Sequence, residues 1–106
     1  EQNYNEAIKL YLLAAAQDYA YAQTNLGILY EDGNGVNQDY KEAEKWYRLA
    51  AEQGTAEAQN NLAELLNNKL NDKQNKKLAK KWFNKACKNG FQKSCGDYQA
   101  LLDAGF

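Results

Sequence analysis

Residues 40–53 read YKEAEKWYRLAAEQ, and residues 4–17 read YNEAIKLYLLAAAQ. Slid by 36 positions, the two segments coincide at Glu6/Glu42, Ala7/Ala43, Lys9/Lys45, Tyr11/Tyr47, Leu13/Leu49, Ala14/Ala50, Ala15/Ala51 and Gln17/Gln53. The match continues downstream, where Ala20, Ala22, Gln23, Asn25 and Leu26 recur as Ala56, Ala58, Gln59, Asn61 and Leu62. A fixed period of this length marks a stack of similar units rather than one globular core.

A second step of the same length gives a fainter copy. Ala43 maps to Ala79, Lys45 to Lys81, Trp46 to Trp82, Tyr47 to Phe83, Ala50 to Ala86 and Gly54 to Gly90. Within 40–52, Ala43, Trp46, Tyr47, Ala50 and Ala51 share one helical face. Ala22, Leu26, Leu29 and Tyr30 make a second apolar stripe in 20–31. Gly33 and Gly35 end that stretch, and Gly54 ends the next one. Asp39 stands in N-cap position three residues before Glu42, the spacing of a capping box. Helices are expected near 4–16, 20–31, 39–53, 56–68, 74–89 and 92–103. A two-helix unit cannot bury its stripe alone, and stacking the units does so. The expected fold is all-α: an α/α solenoid of antiparallel helix pairs, about six helices at a 36-residue repeat. A single repeat domain over 1–106 divides into a partial unit at 1–19, a full unit at 20–55, a degenerate unit at 56–91 and a terminal helix at 92–106.

Ala22, Leu26, Gly27, Tyr30, Gly33, Gly35, Val36, Asp39, Ala43, Trp46, Tyr47, Ala50, Ala51 and Gly54 together form one complete motif. This motif resembles that of the Sel-one-like repeat (SLR) family, relatives of tetratricopeptide repeats. Flanking partial copies extend the resemblance over nearly the whole chain. In the following unit Ala63 and Glu64 replace Gly27 and Ile28, and NNKLNDKQN replaces the glycine-rich loop. Degenerate end units are what a solenoid terminus requires. The resemblance implies a right-handed superhelix used as a protein-interaction scaffold, with bacterial members among periplasmic or secreted factors.

The catalytic inventory is thin. The chain has no His, and Ser94 is its only serine. The commonest general base and metal ligand is therefore missing, and no metal or other cofactor is expected. In DGNG, Asp32 and Asn34 look like calcium ligands. A calcium loop started at Asp32 would place Val36, Asn37 and Ala43 where ligands or glycine are needed. The lysine of a phosphate loop is also absent after Gly35. The loop reads as a turn. A β-lactam-type acyl-serine needs Ser-x-x-Lys, whereas Ser94 is followed by Cys95, Gly96 and Asp97. No enzyme activity is expected.

Charge is unevenly spread. Residues 1–68 carry a net charge of −7, residues 69–93 a net of +8 and the remainder −2. The lysine run from Lys69 to Lys93 has no aromatics at base-stacking positions, so it reads as a solvated face, with no nucleic acid expected. Binding of an acidic protein, an anionic membrane or nucleic acid is the alternative to a solvated face. No stretch reaches the roughly 20 apolar residues of a membrane span. The chain starts mid-pattern at Glu1, without Met. It reads as a mature form or a fragment of a longer chain, and as a monomer.

Cys87 and Cys95 lie eight positions apart, with Gly90 between them at the turn. The residues alone allow either a disulfide across a helix hairpin or two reduced core thiols. Cysteine-rich bacterial members of the resembled family staple helix pairs at this spacing. The resemblance therefore implies a structural disulfide and an oxidising compartment, periplasmic or secreted, with a cytoplasmic location as the alternative. By analogy with tetratricopeptide repeats, a protein or peptide ligand is expected on the concave face. The expected contacts are Tyr21, Thr24, Ile28 and Glu31, then Glu57, Asn60, Glu64 and Asn67. The second functional expectation is an envelope or host-facing factor that binds a cell-wall or glycan ligand.

Overall fold

A computed structural model describes residues 4–106. Residues 1–3 of the first unit lie outside the described residues. Six helices follow in order, with no strand among the described residues: α1 (Tyr4–Ala16), α2 (Ala20–Asp32), α3 (Tyr40–Glu52), α4 (Ala56–Asn68), α5 (Lys73–Lys88) and α6 (Gln92–Asp103). The expected boundaries hold to within one residue. Each helix packs chiefly on its sequence neighbours, and the molecule is elongated at 44 × 24 × 22 Å. It is an α/α solenoid. We call α2, α4 and α6 the A helices and α1, α3 and α5 the B helices.

The apolar stripes bury as the periodicity requires. Ala43, Tyr47, Ala50 and Ala51 of α3 join Ala58, Leu62, Ala63, Leu65 and Leu66 of α4 in the main core. Ala79, Trp82 and Phe83 of α5 and Leu101 of α6 complete it. A smaller cluster of Ala15, Ala22 and Leu26 is covered by Trp46 of α3. Small alanines let the helices approach, and the rings fill the remaining volume. Gly27 marks the closest approach: a Cβ there would overlap the Tyr47 ring.

Turns repeat with the same register. Gly33 caps α2 in the left-handed region (φ 73°), and its N–H reaches Leu29 O at 2.8 Å. In the glycine-poor copy, Lys69 closes α4 at φ −112° without a left-handed residue. At the B-to-A turn, Gly54 (φ 91°) and Gly90 (φ 101°) have Asp18 (φ 70°) as their counterpart in the first unit. Asp39 caps α3, accepting from Lys41 N at 3.0 Å and Glu42 N at 3.1 Å. The reciprocal half of the expected capping box does not form. The Asp39 N–H donates to Tyr30 O at 2.9 Å, and Glu42 pairs with Lys45 at 3.2 Å instead.

A polar staple links successive units. Gln23 is 1% exposed and donates from Nε2 to Ala15 O at 3.3 Å. Its Oε1 accepts from Gln53 Nε2 at 2.9 Å. One period later Gln59, 3% exposed, donates to Ala51 O at 3.1 Å and accepts from Asn89 Nδ2 at 2.9 Å. Each glutamine thus satisfies a carbonyl near a B-helix end while tying in the following B helix. One more period maps Ala51 and Gln59 onto Cys87 and Cys95. These are joined by a disulfide, with Cα atoms 4.8 Å apart. The cross-link is the covalent form of a contact the other two units make by hydrogen bond.

Candidate interaction surface

The A helices start without a side-chain cap. Tyr21, in the first turn of α2, is 75% exposed. Glu57 holds the same register on α4 and is exposed. Lys93 holds it on α6, where its Nζ lies between Glu64 Oε2 at 2.7 Å and Asp97 Oδ2 at 2.9 Å. The hydrogen bonds to Glu64 and Asp97 hold the Lys93 ammonium well above the usual lysine range. This triad bridges α4 and α6.

The remaining expected contacts take other roles. Thr24 is buried at 3% and donates to Ala20 O at 2.9 Å. Asn60 is buried at 4%, and its Oδ1 accepts from Ser94 Oγ at 2.8 Å. Both point into the stack, so neither offers its side chain to a partner. Ile28 is half-buried against the main core. Glu31 is half-buried and accepts from the Tyr47 hydroxyl at 2.7 Å. Burial, then the Glu31 hydrogen bond, push the Tyr47 phenol far above its ordinary value. Asn67 accepts from Lys76 Nζ through Oδ1 at 3.0 Å and through its carbonyl at 3.1 Å. Tyr21 and Glu57 are therefore the most open of the set, with Ile28 and Glu64 beside them. The residues missed are Lys93, Ser94, Gln23 and Gln59. For Gln23 and Gln59 the signal was the period itself, since they recur one step apart; Lys93 and Ser94 stand where Glu57 and Ala58 stood one step earlier and carried no such signal.

Ser94 is fully buried, both cysteines are cross-linked, and no metal-holding cluster of acids and cysteines exists among the described residues. No described helix is long and apolar enough to cross a membrane.

The geometry matches known proteins. A Sel1 repeat protein from Oxalobacter formigenes is 38% identical, with a TM-score of 0.90, over 99% of this chain and 43% of that one. The protective antigen c5321, present in uropathogenic Escherichia coli strains and displaying an SLR fold, is 26% identical with a TM-score of 0.85. That match covers 99% of this chain and 23% of the antigen. The chain thus spans less than half the length of either structure. No curated protein matches the sequence. The Sel1 repeat pattern fits residues 1–19, 20–55 and 56–91. With the pattern across three successive segments and the solenoid in place, the chain belongs to the Sel1 repeat family.

Proposed function

We propose that the protein is a non-enzymatic scaffold that holds a peptide or protein segment along the open side of its A helices. Sel1 repeat proteins are in general protein–protein interaction scaffolds. The observation that carries the reading here is Tyr21, a large aromatic side chain 75% exposed on a rigid helix. An exposed aromatic anchor is a common centre of a binding hot spot, and Glu57 holds the same register on the next A helix. The absence of histidine and the burial of the only serine favour contact over catalysis.

The cross-linked cysteines support a periplasmic or secreted location, since disulfides persist in oxidising compartments. They also favour the second reading, an envelope or host-facing factor with a cell-wall or glycan ligand. The 26% identity to a protective antigen leans the same way.

Peptides selected from a random display library on the wild-type protein test the scaffold reading. Tyr21→Ala is expected to weaken the selected peptides at least about tenfold, a hot-spot loss of ~1.4 kcal/mol or more. Thr24→Ser, at a buried site, should leave them unchanged. Peptides insensitive to Tyr21→Ala and Glu57→Ala together would contradict the reading. Retention on peptidoglycan with no selectable peptide would favour the second one.

A further inference from the structure

The outer faces of the B helices carry a pattern that an A-helix interface leaves unused. α5 holds seven lysines and no acidic residue. Three are engaged within the molecule: Lys76 donates to Asn67, Lys80 to the Phe106 carbonyl, and the Lys85 ammonium lies 5.0 Å from the centre of the Trp82 ring. Lys85 stays exposed, as do the other four, Lys73, Lys77, Lys81 and Lys88. None of them forms an ion pair among the described residues. Their steps of four and three residues keep them on one stripe about 22 Å long. Like charges so spaced repel one another, and α5 carries no acid of its own to relieve them.

The neighbouring B helices extend the face. Lys9 and Lys45 hold the register of Lys81, and Leu13 and Leu49 hold that of Lys85. Leu13 is 64% exposed and Leu49 39%, with Leu12 beside them at 41%. On α3, Glu42 and Glu44 are neutralised by Lys45, Lys41 and Arg48. Glu52, in the register of Lys88, and Glu6 on α1 are exposed acids on this side.

We propose that this B-helix face docks on an anionic lipid surface, the lysines at headgroup phosphates and the leucines in the interfacial layer. A basic helix face flanked by exposed leucines is how a peripheral protein lies on a charged bilayer. Nucleic acid fits less well. α5 has no arginine, and its rings, Trp82 and Phe83, are buried in the core, so no base can stack. A protein partner would want its apolar contacts at the centre of the patch. Here the leucines lie on α1 and α3, to one side of the main lysine stripe.

Vesicle sedimentation decides it. At low ionic strength the protein should co-sediment with vesicles of mixed phosphatidylglycerol and phosphatidylcholine, and stay in solution with phosphatidylcholine alone. Each lysine neutralised should weaken partition about fivefold, so Lys77→Gln with Lys81→Gln should weaken it about 25-fold. These positions are exposed, so an unchanged circular dichroism spectrum is expected. Leu12→Ala with Leu13→Ala should weaken binding while leaving its salt dependence intact. Three results would overturn the proposal: no co-sedimentation at low salt, binding that ignores the lysine variants, or tighter binding to polyglutamate or duplex DNA than to the anionic vesicles.

Discussion

The Tyr47 hydroxyl donates to Glu31 from a ring only 2% exposed. Its folded pKa lies above the free phenol value of 10.0. The folded protein therefore holds this proton longer than the unfolded chain does. The stability gained is complete below about pH 10 and declines as pH rises beyond it. Tyr47→Phe should cost about 1–2 kcal/mol at neutral pH and remove part of the alkaline decline, read by thermal melts across alkaline pH. An unchanged alkaline slope in the variant would contradict the assignment. The third unit already carries the paired change, with Phe83 in the ring position and Asn67 in that of Glu31. At Gly27, which faces the same ring, Gly27→Ala should destabilise by about 1–3 kcal/mol through overpacking; a neutral melt would show that the ring can move aside. The buried ring was legible from its recurrence on an apolar face. The bond to Glu31 was not, because nothing in a helical period says which of two neighbouring acids a hydroxyl will meet.

Helix limits were legible to within a residue because glycines and Asp39 punctuate the repeat. The capping box was half wrong because Tyr30 O competes for the Asp39 N–H, a contact across the loop that local spacing cannot show. Buried Gln23 and Gln59 also escaped notice, since a polar residue in a helix reads as exposed until its partners are known. Their register yields a sharp expectation. Ala51→Cys with Gln59→Cys should close a second disulfide equivalent to Cys87–Cys95, seen as the loss of both new thiols by mass after alkylation. Persistently free thiols would show that the hydrogen-bonded and covalent staples are not interchangeable. Gln59→Leu alone should cost about 1 kcal/mol: the bonds to Ala51 O and Asn89 are lost, while Ala51 O keeps the Gly54 N–H.

Across the whole molecule, charge and cross-link are both unevenly placed. The terminal helix buries little, with Ser94 and Leu101 its buried residues, and the disulfide secures it to α5. Reduction should lower stability by about 2–3 kcal/mol, as expected for so short a loop. Hydrogen exchange should then quicken first in α6, and uniform quickening would argue against a terminal staple. The solenoid itself was legible from one period repeated without a gap. The open surface was only partly so. Positions such as Thr24 and Asn60 share the expected face by helical spacing, but tight contacts between neighbouring helices close over them. The most direct test of the interaction reading is photocrosslinking in a lysate of the source organism, with a photoreactive side chain placed in turn at Tyr21, Glu57 and Lys41. The account predicts a common protein adduct from Tyr21 and Glu57 and none from Lys41. The same protein captured only through Lys41 would place the partner on the opposite helices and contradict it.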